Sequence, residues 1–350
     1  MTRAVVESAI DQGVHRFLAD GVHYRDLMDI RAEAADWKSW PETWSRHGEE
    51  AERRAEAALT KGAIATAAGE FARAALYHHY GQNLLYDDLV LKKRIHDRKV
   101  AAFMRAAPLF EEPFVRVEIP FEGVRMGAYF RAPRGITRPP CVILMGGLDT
   151  TKEDYLTVNE LCVRRGLATL AFDGPGQGET AFEMLWREDF EQAIIAVIDY
   201  LETRTDIDRG RIGLIGRSMG GFYGPKTAAM DARVKALVAW GVMYHLRNIA
   251  DVPPHILQGL LFVSGSRTLD EARAFYQCID LDDYAPRIRC PTLVVHGGRD
   301  AITPAENATM LLDKLDTEVE TLIWDDSIHC CHDRAHIVRP AMADFMARHL

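Results

Sequence analysis

From Pro140 onward, short runs of apolar residues alternate with longer segments of helical periodicity, and this alternation restricts the possible folds more than any other feature. Six runs are strand candidates: CVILMGG, ATLAFDG, RIGLIG, VKALVAWG, PTLVVHGG and VETLIWDD. Stretches such as DFEQAIIAVIDYLETR separate them. Because the runs are nearly continuous in apolar residues, both faces of the sheet must be covered, as in parallel sheets. The sequence therefore predicts an α/β fold with a mostly parallel, twisted sheet and helices on both faces.

The segment before this alternation has a different pattern. Ala-rich stretches such as EEAERRAEAALTKGAIATAAGEFARAAL carry apolar residues at helical spacing. FVRVEIPFEGVRMGAYFRAP then alternates apolar and polar residues around Glu122-Gly123, which indicates a hairpin. We therefore expect a helical, cap-like N-terminal domain over residues 1–110. An α/β catalytic domain follows over residues 111–350, with an insertion at about 243–285 where the rhythm breaks.

Composition excludes several classes of partner. The formal net charge is −9 and no basic stripe is interleaved with aromatic residues, so nucleic acid is not an expected partner. No apolar run is long enough to span a bilayer, and the N-terminus lacks an unbroken hydrophobic signal core. We therefore expect a cytoplasmic protein without a membrane partner. The six cysteines are scattered, which favours reduced thiols over disulfides.

Neither a metal nor a cofactor is expected from the sequence. Cys330, Cys331 and His332 are consecutive, and adjacent residues cannot easily aim both sulfurs at one tetrahedral ion. Residues 174–179 read GPGQGE and follow a strand run, as a dinucleotide fingerprint would. However, Glu179 stands where the last glycine of that fingerprint is required, and Pro175 stiffens the turn. This segment is better explained as a structural turn.

Residues 216–220 read GRSMG and match the G-x-S-x-G pattern of a nucleophile elbow. The strand run RIGLIG ends at this point, and a helix is expected to begin near Gly220. A serine on such a turn has a strained backbone and a hydroxyl that projects from the sheet edge. The N-terminus of the following helix also stabilises negative charge. The five-residue pattern is common by chance, so the strand–turn–helix context is what identifies Ser218 as the candidate nucleophile.

A serine hydroxyl needs a general base, and α/β hydrolases place the acid and then the base later in the chain. Asp300 falls just past the strand of PTLVVHGGRD, in a turn made by Gly297 and Gly298, and His329 follows the last strand run. A turn or helix-capping role would also explain Asp300. His332 and His336 are alternatives to His329, but both fall where the last helix is expected to begin. His296 lies inside a strand run and is interpreted as structural. We therefore expect a triad of the candidate nucleophile with Asp300 and His329.

The oxyanion of the reaction needs two backbone N–H donors. One is expected at Met219, directly after the nucleophile. The other is expected at Leu148, in the loop after CVILMGG, where two glycines allow close approach of the main chain. Thr151 and Asp154 have the spacing of a capping box at the start of the next helix.

Taken together, AFDGPGQGE, GRSMGG, HGGRD and IHCCHD are similar to the motifs of α/β hydrolases with a helical N-terminal domain. That family includes 2,6-dihydroxypseudooxynicotine hydrolase and the fungal polyketide-shortening hydrolases. The likeness extends to YHHYGQ and AAPL in the helical segment. The resemblance implies a Ser-Asp-His triad, here Ser218, Asp300 and His329. It also implies an active site between the two domains and a homodimer.

Some members of this family hydrolyse a carbon–carbon bond beside a ketone on an aromatic or heteroaromatic ring. Such members can use an additional acidic residue after the VAWG strand, where this chain reads VMYHLRNIADVPPH without a glutamate. Asp251 is the nearest acid, and His245 is another titratable candidate. The resemblance implies a hydrolase acting on an acyl-aromatic or β-diketone-like small molecule. A carboxylesterase or amidase acting on a small ester or amide is the alternative, because the motifs serve both, and a non-catalytic protein on this fold is the third hypothesis.

Several residues near expected strand ends, in the insertion or in the helical segment are candidates for contacts with a small, ring-bearing substrate. Core packing or surface exposure would explain each of them equally well. They are Tyr155, Trp186, Trp240, Tyr244, His245, His78 and Tyr80.

Overall fold

The computed structural model describes residues 3–247 and 249–350. The chain divides into two compact units, Met1–Arg116 and Val117–Leu350. The sequence prediction placed this boundary at about residue 110.

The N-terminal unit is helical, with α1 Arg3–Asp20, α2 Tyr24–Glu33, α3 Trp40–Thr60, α4 Ile64–Gln82 and α5 Leu89–Ala106. Aromatic rings form its core, and Trp44 is in the middle of them. Its ring centroid lies 5.4 Å from those of Phe17 and Tyr80 and 5.9 Å from that of Tyr77. The two tyrosines keep their hydroxyl groups hydrogen-bonded to aspartates of the same unit. Large rings therefore fill the interior without leaving these phenol groups unpaired.

The C-terminal unit is built on one sheet of eight strands in the order β1-β2-β4-β3-β5-β6-β7-β8. The strands are β1 Val115–Phe121, β2 Val124–Arg131, β3 Cys141–Met145, β4 Ala168–Phe172, β5 Ile212–Arg217, β6 Val234–Trp240, β7 Thr292–Gly297 and β8 Val319–Trp324. The helices are α6 Leu156–Val163, α7 Glu191–Thr203, α8 Gly220–Met230, α9 Pro254–Ser264, α10 Leu269–Tyr276, α11 Glu306–Leu312 and α12 Ala335–His349. All pairings from β4 to β8 are parallel, and β2 is antiparallel to β4. The predicted α/β fold class is confirmed.

The strands with nearly continuous apolar sequence are buried on both faces of the sheet. Every residue of β3, β4, β5 and β7 is buried, whereas β8 at the sheet edge is half exposed. Two separate hydrophobic clusters pack against the sheet, one containing Ile143 and Leu214 and the other containing Val142 and Ile215. Because successive strand residues point to opposite faces, this alternation places one cluster on each face.

The predicted hairpin is also present, with β1 and β2 joined at Glu122 and Gly123. Both residues have positive φ, 42° and 89°, as the tight turns of twisted hairpins require. The insertion between β6 and β7 contains the helices α9 and α10.

The strand register brings four loops to one edge of the sheet. Met145 at the end of β3 pairs with Gly216, and Arg217 at the end of β5 pairs with Trp240. At the other side, Gly297 at the end of β7 pairs with Trp324 at the end of β8. The loops after β3, β5, β7 and β8 therefore open at the same carboxyl edge, the usual place for a ligand site in an α/β sheet.

None of the helices in the described parts of the chain combines the length and the apolar character that crossing a bilayer requires.

Candidate active site

Ser218 occupies a sharp turn between β5 and α8. Its φ is 59°, in the left-handed region that non-glycine residues rarely adopt. Its N–H donates to the Trp240 carbonyl at 2.7 Å, and its own carbonyl accepts from the N–H of Gly221 at 2.6 Å. These bonds hold the strained residue at the sheet edge, as the nucleophile-elbow interpretation of the sequence requires.

The side chains of Ser218, His329 and Asp300 form a continuous hydrogen-bonded chain. His329 Nε2 lies 3.0 Å from Ser218 Oγ. On the other side of the ring, His329 Nδ1 lies 2.6 Å from Asp300 Oδ2. These three residues are far apart in sequence, and the loops after β5, β7 and β8 bring them together. The arrangement can transfer a proton from the hydroxyl to the imidazole while the carboxylate fixes the ring.

Thr303, which was not predicted as a site residue from the sequence, fixes the Asp300 carboxylate. Its N–H donates to Asp300 Oδ1 at 2.8 Å, and its hydroxyl lies 2.9 Å from Oδ2. The N–H of Ile302 also donates to Oδ1, at 2.9 Å. An aspartate followed three residues later by a threonine is a local signal for this kind of turn. The carboxylate is therefore buried but fully hydrogen-bonded.

The electrostatics of the Asp300–His329 pair follow from their contact in a buried place. Burial opposes the charged imidazolium, but the Asp300 carboxylate outweighs it and holds the pKa of His329 well above the usual range. Burial likewise favours a neutral Asp300, yet the attraction of His329 and the hydrogen bonds lower the pKa of this carboxyl. The pair therefore stabilises a protonated imidazole, the form that appears after the base has accepted a proton.

The loop after β3 passes very close to Ser218. A Cβ atom on Gly147 would lie 2.8 Å from Ser218 Cβ and 3.3 Å from Oγ, so only glycine allows this approach. In the described parts of the chain, neither the N–H of Leu148 nor that of Met219 donates to another main-chain group. Both remain available for a negatively charged oxygen next to the serine.

Two further contacts position the loop after β3. The buried Arg217, directly before Ser218, donates from Nη2 to Thr150 Oγ1 at 2.6 Å. The expected capping box is confirmed, because Thr151 and Asp154 exchange side-chain and main-chain hydrogen bonds. The loop after β3 is thus connected to the elbow and to the following helical turn.

The candidate substrate contacts in the C-terminal unit are mostly buried. Tyr155 donates its hydroxyl to the Met145 carbonyl at 2.6 Å, and Trp240 donates its indole N–H to the Cys330 carbonyl at 2.6 Å. Tyr244 donates to Asp282 at 2.7 Å, and the half-buried His245 forms a main-chain bridge in the insertion. The fifth, Trp186, packs among the rings of other residues.

The two candidates in the N-terminal unit make their hydrogen bonds inside that unit. Tyr80 donates to Asp20 at 2.7 Å. His78 is fully buried, with Nδ1 3.0 Å from Ser45 Oγ and Nε2 2.9 Å from Glu52 Oε1. This second Ser-His-acid arrangement differs from the first because Ser45 lies inside α3, where the main-chain N–H groups are used by the helix.

Potential metal ligands were found in one place among the described residues. Glu318, Glu320 and His349 offer atoms within 4.8 Å of one another, at a partly exposed surface. The six cysteines are free thiols, and five of them are buried.

Comparisons with known proteins show the family to which the chain belongs. The sequence profile of the prolyl oligopeptidase family matches residues 157–350. 2,6-Dihydropseudooxynicotine hydrolase of Paenarthrobacter nicotinovorans is 34% identical over 333 residues, which cover 95% of this chain and 90% of that protein. Hydrolase LUC6 of a Fusarium species is 28% identical over 337 residues, and the alignment covers 81% of this chain and 80% of that protein.

A solved structure gives the same result for the fold. The crystal structure of 2,6-dihydroxy-pseudo-oxynicotine hydrolase is similar with a TM-score of 0.89 at 33% sequence identity. The match covers 96% of this chain and 95% of the other. The similarity therefore includes the N-terminal helical unit as well as the sheet.

Proposed function

Since the chain belongs to the prolyl oligopeptidase family of α/β hydrolases, we propose that it is a serine hydrolase cleaving a carbon–carbon bond next to a ketone in a small acyl-aromatic or β-diketone-like molecule. The observation that carries the proposal is the hydrogen-bonded chain from Ser218 through His329 to Asp300. Similarity to 2,6-dihydropseudooxynicotine hydrolase over 95% of the chain supports the choice of bond and of a ring-bearing substrate.

In the proposed reaction, His329 accepts the hydroxyl proton as Ser218 Oγ attacks the ketone carbon. Asp300 keeps the ring in the correct tautomer and stabilises its charged form. The N–H groups of Leu148 and Met219 donate to the oxyanion, and each such donor is worth about 3–4 kcal/mol in the transition state. The charge of the intermediate thus develops between two fixed donors.

Collapse of the intermediate breaks the bond between the carbonyl carbon and the neighbouring carbon. The electron pair stays on the leaving carbon, where the ring or an enolate of the substrate must delocalise it. The imidazolium of His329 then returns its proton to that carbon or to the enolate oxygen. Water, deprotonated by the neutral imidazole, finally releases the acyl group from Ser218.

One observation favours a second function, hydrolysis of a small ester or amide. The segment after β6 places Asp251, its nearest acid, at an exposed position. Tyr244 in the same segment is hydrogen-bonded to Asp282. A carbon leaving group needs help that an ester oxygen does not, so a site without an additional buried acid in this segment suits the easier reaction.

The test compares turnover of an aryl β-diketone with turnover of p-nitrophenyl esters by the same enzyme preparation. Turnover of the diketone supports the first function, and turnover of esters alone refutes it in favour of the second. A Ser218→Ala variant is expected to lose activity on both, with little change in melting temperature. Retained activity would show that Ser218 is not the nucleophile.

A matched control is available in the N-terminal unit, because Ser45 also has a histidine partner. We expect the Ser45→Ala variant to keep its hydrolase activity and to be labelled at Ser218 by a fluorophosphonate, as the wild type is. Wild-type protein that is folded but not labelled at Ser218 would favour the third hypothesis, a non-catalytic protein.

A further inference from the structure

Gln177 lies in the GPGQGE turn after β4, and its carboxamide is buried against the loop after β3. Nε2 donates to the Gly146 carbonyl at 3.0 Å and to the Gly147 carbonyl at 2.8 Å. Oε1 accepts from the N–H of Gly174 at 3.2 Å. The side chain is only 5% exposed, so these bonds are protected from water. Two carbonyl acceptors on one side and one N–H donor on the other also determine which end of the amide is nitrogen.

The bond to Gly147 has a consequence for the next residue. The carbonyl of Gly147 and the N–H of Leu148 belong to one planar peptide, which is trans, since no cis peptide bond occurs among the residues that the structure describes. Carbonyl and N–H of a trans peptide point in opposite directions. With the carbonyl directed at Gln177, the N–H of Leu148 must point away from Gln177. The main chain at Gly147 also runs close to Ser218, because a Cβ added there would lie 2.8 Å from Ser218 Cβ.

We propose that Gln177 is a positioning residue for the oxyanion donor at Leu148. Its carboxamide fixes the rotation of the Gly147–Leu148 peptide, so that the Leu148 N–H faces the oxygen that develops beside Ser218. This inference rests on the proposed function, and it gives the GPGQGE segment a role beyond that of a turn. An oxyanion donor is effective only when its direction is set before the reaction, because reorientation would consume part of the binding energy.

The chemistry of the position requires an amide. Two adjacent carbonyl groups need two N–H donors from one side chain, which glutamine supplies and glutamate does not. A second hydrogen bond joins the same two loops, those after β3 and β4. Asp173 Oδ1 accepts from the main-chain N–H of Lys152 at 2.8 Å, beyond the other end of the loop. The loops after β3 and β4 are thus held together on both sides of the peptide that Gln177 orients.

The experiment uses Gln177→Glu and Gln177→Met, which keep the length of the side chain and remove both donors to the carbonyls. We expect kcat on the preferred substrate to fall roughly 10- to 100-fold, somewhat less than loss of an oxyanion donor itself. KM should change by less than about threefold, because the ground-state carbonyl depends little on this N–H. Asn159→Leu is the control. Asn159 lies on α6, and its buried amide accepts a hydrogen bond from the Thr169 hydroxyl at 2.7 Å. It should lower stability without this loss of kcat.

A binding measurement separates positioning from general damage. An aryl trifluoromethyl ketone forms an oxyanion with the serine, whereas the corresponding secondary alcohol does not. Affinity for the ketone should fall in the Gln177 variants by about the same factor as kcat/KM, with unchanged affinity for the alcohol. Equal loss for both compounds, or normal kcat in Gln177→Met, would overturn the inference while the proposed function stands. If the wild-type protein turns over neither substrate class, the proposed function is refuted and this inference with it.

Discussion

Replacing Lys152 by methionine should destabilise the C-terminal unit by about 3–5 kcal/mol at pH 7, because it leaves buried carboxylates without their cation. Lys152 Nζ lies 2.7 Å from Asp173, 2.7 Å from Glu179 and 2.8 Å from Glu153. The side chains of Lys152 and Asp173 are fully buried, and that of Glu153 is 2% exposed. For a unit of this size, the loss corresponds to a decrease in melting temperature of about 6–20 °C.

The expected loss depends on pH in a defined direction. Burial opposes the charged ammonium, but the three carboxylates outweigh it and raise the pKa of Lys152 well above its ordinary value of 10.5. Because its pKa is raised, the lysine stays charged at every pH below 10.5, so its own titration does not reduce its contribution in that range. In the variant, protonation of a carboxylate relieves the uncompensated charge, and protonation becomes easier as the pH falls. The difference between wild type and variant should therefore shrink from pH 8 to pH 5.

Urea denaturation followed by circular dichroism at several pH values measures this difference. Lys93→Met is the matched control, because Lys93 forms an exposed ion pair with Asp97 at 2.7 Å, one helical turn away. Its removal should change stability by less than about 0.5 kcal/mol. If Lys152→Met loses no more than the control, or if its deficit is the same at pH 5 and pH 8, the ion cluster does not hold these loops as argued.

Two further predictions concern the hydrogen-bonded histidines His329 and His78. A pH–rate profile of the wild type should show kcat/KM rising with an apparent pKa above 6.5, because the neutral form of His329 is the base and Asp300 raises its pKa. Asp300→Asn should move this limb to lower pH and reduce kcat by up to about 10⁴-fold; an unchanged limb would contradict the assignment. Gly48→Ala should lower the melting temperature measured by calorimetry, because its Cβ would lie 2.7 Å from the His78 ring. Gly69→Ala, which has open space at its Cβ, should raise the melting temperature. Equal shifts for the two alanines would refute the packing argument.

The sequence predicted the sheet well because each strand is a self-contained signal. Strands buried on both faces are predominantly apolar, and β3, β4 and β7, which are buried at every position, carry this signal without reference to the rest of the chain. The hairpin at Glu122–Gly123 was equally local, since two positive φ values restrict the residues that fit. The strand order was not predicted, because pairing depends on contacts between distant segments.

The candidate site divides in the same way. Ser218, Asp300 and His329 could be proposed from the sequence because each is a distinctive residue in the loop after a strand, and parallel strands end at a common edge. Thr303 also carries a local signal, which is its three-residue spacing from Asp300. Gln177 carried none, because its partners are carbonyl groups about 30 residues earlier in the chain. Main-chain acceptors have no sequence signature, so a side chain that binds them is invisible before the fold is known.

The glycines of GPGQGE show what such a loop can accommodate besides a phosphate. A Cβ at Gly178 would overlap the carboxylate of Asp173, so glycine is required there by an anion of the protein itself. That carboxylate is paired with Lys152 and accepts the main-chain N–H of Glu179 at 3.2 Å. A dinucleotide loop uses its N–H groups and missing side chains to admit a pyrophosphate. Here the glycine positions admit an internal carboxylate, which connects this loop to the loop beside Ser218. The carboxylate of Asp173 therefore explains the glycine pattern without a bound ligand.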